Sequence, residues 1–389
     1  MAKLVDSLRE VKYSLEKVYY RFYSCFHRMN KQVLFQSFAG KQYSDNPRAV
    51  SEKLHELFPD YKILWKLDDK TDKYGIIPDY VQFVPSEKAS FFPFQYLKTL
   101  ATSCCLVTNE ALVPSSPKRK GQFFVSTWHG DRAFKKVLAA LPEHKGIPLE
   151  DKYADICVAG STYGENQFRT AFLYKGEIFS NGTPRDDILV KNDINDRNRV
   201  LELLNLSQNF RYLLYAPTYK DNNNHQAQFN DELSLGRTIK RLQETTGHKW
   251  KALSRAHSAA YGGIKYNDED LDYIIDVSDY PDMSDILLIA DMLITDYSSS
   301  PGDAALRNIP IILFQNEEYS RPLYFKMEES PFFIAKSQAE LEALIDSLSE
   351  ESVQENCKQI LEFYGTHESG MASELLAKRI NEEYLKLAK

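Results

Sequence analysis

The chain has 389 residues, 43% of them hydrophobic and 26% charged, with a net charge of −7; that length calls for two domains rather than one core, and that composition excludes wholesale disorder. The acidic balance argues against a protein that coats nucleic acid. Five cysteines (Cys25, Cys104, Cys105, Cys157, Cys357) without a CxxC pair argue against a zinc site or a secreted disulfide framework, and with no signal core and no apolar run of about 18 residues the expectation is a reducing cytoplasm and no membrane crossing.

Residues 1–30 read as a separate amphipathic helix, because Leu4, Leu8, Val11, Leu15, Val18, Phe22 and Phe26 recur every three or four positions. From Met1 to Lys31 there are seven Lys or Arg against three acids, an excess of +4 in an acidic chain, and Tyr19, Tyr20 and Tyr23 sit at the later end. Such a helix either lies on an anionic membrane surface or packs its stripe on the protein's own core. Strands are then expected at Lys31–Phe38, Tyr61–Leu67, Cys104–Thr108, Gln122–Thr127, Ile156–Ala159 and Glu177–Ser180, with helices ending near Leu57 and spanning Phe94–Ser103. The charged, interrupted segment Asp186–Gln208 reads as a boundary. Beyond it Tyr212–Ala216, Trp250–Ser254, Tyr273–Val277, Met292–Thr295 and Ile309–Phe314 restart the strand–helix alternation. The pattern predicts two Rossmann-like halves, 31–190 and 191–389, facing a central cleft in a GT-B arrangement, with the last helix packing back on the first half.

Four clusters fall at the carboxyl ends of expected strands, where open α/β sheets bind ligands. In Ser126-Thr127-Trp128-His129-Gly130, ahead of a helix expected near Ala133, His129 is the residue type suited to general-base work, or else it only fastens a loop. In Ser254-Arg255-Ala256-His257-Ser258, Arg255 and His257 could face an anion or belong to a solvated loop. Thr295-Asp296-Tyr297-Ser298-Ser299-Ser300 offers amides and hydroxyls to a phosphate, or simply caps the following helix. In Ala216-Pro217-Thr218-Tyr219-Lys220-Asp221, Thr218 and Lys220 could contact phosphate, or form a turn. No carboxylate cluster has metal spacing, so neither metal nor cofactor is expected.

The strings FQSFAGKQYSDNP (35–47), TWHG (127–130), NGTPRDD (181–187), YAPTYKD (215–221), RAH (255–257), PDMSDILLIADMLITDYSS (281–299) and SGMAS (369–373) run in order across nearly the whole chain. In these the sequence resembles the CDP-glycerol glycerophosphotransferase family of teichoic acid primases and polymerases. The resemblance implies a GT-B fold, a CDP-polyol donor and a polyprenyl-diphosphate-linked acceptor at the cytoplasmic membrane face. It makes His129 the acceptor's base and His257 a partner of the donor phosphates, and it assigns Thr295, Asp296, Ser298 and Ser299 to the donor loop. The reaction it implies is in-line attack on the β-phosphorus with CMP leaving. Where the family motif continues Thr-Pro after TWHG this chain has Asp131-Arg132, and Ser300-Pro301-Gly302 replace bulky residues after TDYSS, while Asp303 matches. These departures bear on the acceptor and the polyol. The chain lacks the long extra N-terminal domain of the large polymerases, so a primase, a short-chain transferase or a capsule-type enzyme is expected. Alternatives are a CDP-ribitol or other CDP-polyol donor, a CMP-sugar glycosyltransferase, and a non-enzymatic nucleotide-binding scaffold; self-association is compatible with each.

Overall fold

The computed structural model describes residues 2–86, 92–110, 118–141, 154–218, 233–256, 266, 268–317 and 319–387. Helix α1 (Ala2–Phe26) leads into β1 (Asn30–Gln36) at the centre of a seven-stranded sheet. Its other strands are β2 (Lys62–Leu67), β3 (Val81–Pro85), β4 (Ser103–Thr108), β5 (Phe123–Ser126), β6 (Ile156–Val158) and β7 (Glu177–Phe179), in the order β3-β2-β1-β4-β5-β6-β7. Every pairing is parallel. A six-stranded parallel sheet follows, built from β8 (Arg211–Tyr215), β9 (Trp250–Ser254), β10 (Ile274–Asp276), β11 (Met292–Thr295), β12 (Ile311–Phe314) and β13 (Phe333–Ala335), in the order β10-β9-β8-β11-β12-β13. Each sheet runs outward on both sides from a central first strand, the doubly wound order that leaves a crevice at its carboxyl edge.

The strands are continuous apolar runs because helices cover both faces. In β1, Val33 and Phe35 point into the core beneath helix α2 (Asp45–Leu57), while Leu34 points into the opposite core with Leu97 and Leu100 of helix α3 (Phe94–Thr102). The same alternation in β8 sends Tyr212 and Leu214 to one side and Leu213 and Tyr215 to the other. The last helix of the chain, Ala372–Leu387, returns to the first sheet. Its Leu376, Ala377 and Ile380 are buried in the core beneath α2, and Tyr61 Oη donates to Asn381 Oδ1 at 3.1 Å.

Helix α1 fastens itself by its tyrosine face. Tyr20 is 2% exposed and donates to Gln122 Oε1 at 3.0 Å, and Tyr19 meets Phe94 edge-on at 4.8 Å between ring centroids. From Val11 onward the aliphatic and phenylalanine stripe faces outward, with Val18 and Phe22 each 64% exposed and Phe26 71%.

Two strands arise where the sequence reading has none. The first, β3, is an edge strand ending in Pro85, where a missing amide donor costs no ladder bond. The second, β13, is a three-residue edge strand, too short for a period to register. The segment expected as an interrupted boundary forms helices Asp187–Lys191 and Ile194–Leu203, whose Leu189, Val200 and Leu201 enter the second sheet's core. No helix starts near Ala133: after the turn in which Ala133 N donates to Gly130 O, the next helical element is the single turn Leu138–Ala140. The inward aim of Asp131 and Arg132, described below, holds that stretch irregular.

The returning helix yields a stability test. Ile380→Ala should cost about 2–5 kcal/mol by cavity formation, whereas Leu385→Ala, 49% exposed on the same helix, should stay within about 0.5 kcal/mol. Urea unfolding of both variants checks the difference, and equal effects would contradict the packing.

Candidate active site

The carboxyl edges of the two sheets open on one cleft, lined from the first half by Phe38, Asp45, His129 and Arg185, and from the second by Thr218, Arg255, Ser298, Ser299 and Asp303. Backbone strain gathers on the first-half side. Phe38, Ala39, Asp45 and Trp128 have φ of 46°, 57°, 64° and 51°, a left-handed conformation that non-glycine residues hold only where the surroundings impose it.

His129 follows β5 directly. Its Nδ1 lies 2.8 Å from Asn109 O, and a carbonyl can only accept, so Nδ1 carries a proton and in the neutral ring the lone pair is on Nε2. Asn109 itself is buried at the end of β4 and accepts Phe38 N at Oδ1 at 2.9 Å. Tilted ring contacts with Phe38 and Trp128 complete the imidazole's surroundings.

Across the cleft, the Arg255 guanidinium donates to the carbonyls of Tyr280 and Pro281 and forms no ion pair among the described residues, although the Asp282 carboxylate acts on it from nearby. Burial pulls it below the ordinary arginine range. Ser298 Oγ lies 3.0 Å from Ser300 Oγ and accepts Ser300 N. The helix that follows, Ser300–Ala304, is one turn, and Ser299 makes no side-chain cap to it. So short a helix supplies no long dipole, and what the loop offers the cleft is its hydroxyls and amides. Asp296 and Thr218 satisfy each other: Thr218 N and Oγ1 both donate to the Asp296 carboxylate at 2.9 Å. Thr295 Oγ1 donates to Ala216 O at 2.6 Å and is buried behind the cleft wall. These three residues fasten the Ala216–Thr218 loop to the serine loop. Lys220 and His257 lie outside the described residues.

Beneath the cleft lies a charge cluster absent from the sequence reading. Arg132, fully buried, donates through Nη1 to Asp186 at 2.9 Å and Asp303 at 2.7 Å and through Nη2 to Glu368. Arg185 donates to Asp45 Oδ2 at 3.0 Å, Asp303 Oδ2 at 2.9 Å and His129 O at 2.9 Å. Burial pushes the Asp303 carboxyl up to about 6 and lifts Glu368 well above the glutamate range, against the pull of the arginines. Arg132 fits because position 302 is glycine; a Cβ there would fall 2.3 Å from Arg132 Cδ. A second buried set crosses between the halves at α2, where Arg48 Nη1 reaches Asp285 at 2.8 Å and Asp282 at 3.3 Å. The signal available in the sequence for Arg185 and Asn46 was only their place in NGTPRDD and FQSFAGKQYSDNP, and for Arg132 its place in the departure after TWHG; nothing local announced Asn109.

Two doubly wound parallel sheets share a cleft lined by His129 on one wall and by Arg255, Ser298 and Ser299 on the other, and the class they define is an α/β protein with its ligand crevice at the strand ends. The sequence model of the CDP-glycerol:poly(glycerophosphate) glycerophosphotransferase family matches residues 18–382, and the chain belongs to that family. It is 28% identical over 327 residues to a teichoic acid poly(glycerol phosphate) polymerase of Bacillus spizizenii, covering 80% of this chain and 81% of that one. It is 27% identical over 408 residues to a teichoic acid glycerol-phosphate transferase of Staphylococcus aureus, covering 95% and 99%. The match spans 40% and 49% of the length of the poly(glycerol phosphate) polymerases of Staphylococcus epidermidis and Bacillus subtilis. In fold it resembles the solved wall teichoic acid polymerase TagF, with a TM-score of 0.80 at 23% identity and coverage of 100% and 99%.

Arg132→Met should destabilise the protein by about 3–5 kcal/mol, because it strands buried carboxylates. Asp303 and Glu368 have folded-state values above their unfolded ones, so their protons favour the folded state at low pH, and the Asp303 share is lost as pH rises through about 6. Without Arg132 both rise further. The deficit, read by denaturant unfolding, should therefore be larger at about pH 8 than at about pH 5.5; a deficit independent of pH would contradict the assignment.

Proposed function

We propose that the cleft moves glycerol phosphate from CDP-glycerol to a polyprenyl-diphosphate-linked acceptor, in a GT-B arrangement of the two sheets, with His129 as base. The observation that carries this reading is the hydrogen bond from Nδ1 of His129, on the cleft wall, to Asn109 O, which in the neutral ring makes Nε2 the basic nitrogen. The acceptor hydroxyl gives its proton to Nε2 as its oxygen bonds to the β-phosphorus. The bond from that phosphorus to the bridging oxygen breaks, and CMP departs with the electron pair. Arg255, Ser298 and Ser299 are suited to offset charge as it moves toward the leaving phosphate. His257 joins them on the strength of the family resemblance, and Lys220 on its place after an expected strand end. Thr218, Thr295 and Asp296 hold the two donor-side loops in register.

Purified protein should release CMP from CDP-glycerol when a polyprenyl-linked acceptor is present. Turnover of CDP-ribitol alone would reassign the polyol, and turnover of UDP- or GDP-sugars alone would sink the reading. His129→Ala should lower kcat by roughly 10²–10⁴, the usual contribution of a positioned base; near-normal turnover would refute the assignment.

The enzyme is further proposed to work peripherally at the cytoplasmic membrane face, with α1 as its amphipathic anchor. Val11, Leu15, Val18, Phe22 and Phe26 are exposed on one helix whose surroundings carry an excess of basic residues, a combination suited to anionic lipid. Tyr20 meanwhile ties the helix to the fold. The pair Val18→Glu and Phe22→Glu should abolish sedimentation with anionic vesicles while leaving the melting temperature and turnover of a short soluble acceptor unchanged. Retained vesicle binding would remove α1 as the anchor.

A further inference from the structure

His129 stands on a strained turn, since Trp128 before it has φ of 51°, and that conformation persists only when the surroundings over-determine it. Two residues supply the restraint. Trp128 O accepts from Asn46 Nδ2 at 3.1 Å, and His129 O accepts from Arg185 Nη1 at 2.9 Å. The two are joined to each other, because Arg185 N donates to Asn46 Oδ1 at 3.0 Å. Asn46 is 1% exposed and Arg185 8%, so neither swings freely in solvent.

The far side of Arg185 leads to the donor wall. Its Nη2 donates to Asp303 Oδ2 at 2.9 Å, and Asp303 lies on the single helical turn that follows Ser298 and Ser299. The other oxygen of Asp303 is held by Arg132 Nη1 at 2.7 Å. The carboxylate therefore cannot rotate away from Arg185 without breaking a second buried ion pair. One guanidinium thus joins the main chain of His129 to the segment carrying the serine hydroxyls.

We infer that Arg185 is a positioning residue for the transfer: held by Asp303 on the donor side, it fixes the main chain of His129 and thereby the reach of the imidazole into the cleft. The inference rests on His129 being the base. The fork is essential, because three acceptors (His129 O, Asp45 Oδ2 and Asp303 Oδ2) are served from two terminal nitrogens in one plane. A lysine supplies the charge without that geometry.

Arg185→Lys should lower kcat on the order of 10²-fold, the scale set by misplacing a catalytic group, with the KM for CDP-glycerol and the calorimetric affinity for CMP unchanged. In a His129→Ala background the same change should cost less than about twofold, since residues acting through one another are non-additive. Asn46→Ala, a neutral change on the same turn, should repeat this pattern and answers the question if Arg185→Lys fails to fold. A full loss that persists in the His129→Ala background overturns the positioning role. So does a raised donor KM with kcat retained, which would mark Arg185 as a direct donor contact. Near-normal turnover by His129→Ala alone would instead fail the base assignment, a result separate from either.

Discussion

The shared carboxylate of Asp303 is the interaction on which the site depends. It accepts from Arg132 and Arg185, both rooted in the first half, while itself standing on the second. Burying ions costs several kcal/mol each even after relaxation, so such a cluster is poor evidence for stability. Its consequence is geometric: guanidinium forks admit few arrangements that satisfy Asp45, Asp186, Asp303 and Glu368 together. The relation between the two cleft walls is thereby specified rather than left to apolar packing, which tolerates sliding. The excess of acids over arginines is relieved by the raised affinity of Asp303 and Glu368 for protons.

The cluster also accounts for the two places where the chain departs from its family's motif. Arg132 occupies space that opens because residue 302 lacks a side chain, and a bulky residue there would collide with the guanidinium stem. Asp131 accepts from Ser161 Oγ and Gly160 N, so it is a tether for the loop after β6 rather than a cleft residue. The two departures meet beneath the site, where the Arg132 stem lies against Gly302. The second also reaches the cleft wall, where Ser300 lies with its Oγ 3.0 Å from Ser298 Oγ.

Helix α1 illustrates a separate constraint. It presents two apolar surfaces, and the fold uses the tyrosine one, where a phenol can bury its ring and still donate to Gln122. The aliphatic stripe has no hydroxyl to satisfy a buried acceptor and is left outward. The helix is consequently fixed to the first half at one face and available along the other.

Most strand positions, the parallel α/β class and the placement of His129 and Ser298–Ser299 at strand ends were legible in the sequence. They rest on local signals: apolar runs of strand length, turn residues after them, and motif strings in family order. Edge strands such as Val81–Pro85 were not, since a strand with one neighbour needs no strong period. Tertiary structure alone brought Thr295 and Asp296 into hydrogen bonds with the Ala216–Thr218 loop. It alone buried Arg132, joined Arg185 to His129 and Asp303, and chose which stripe of α1 meets solvent. Hydrophobic periodicity reports which side of an element is apolar, but not which partner lies opposite. A buried arginine and a solvated one read alike until residues more than a hundred positions apart are brought together.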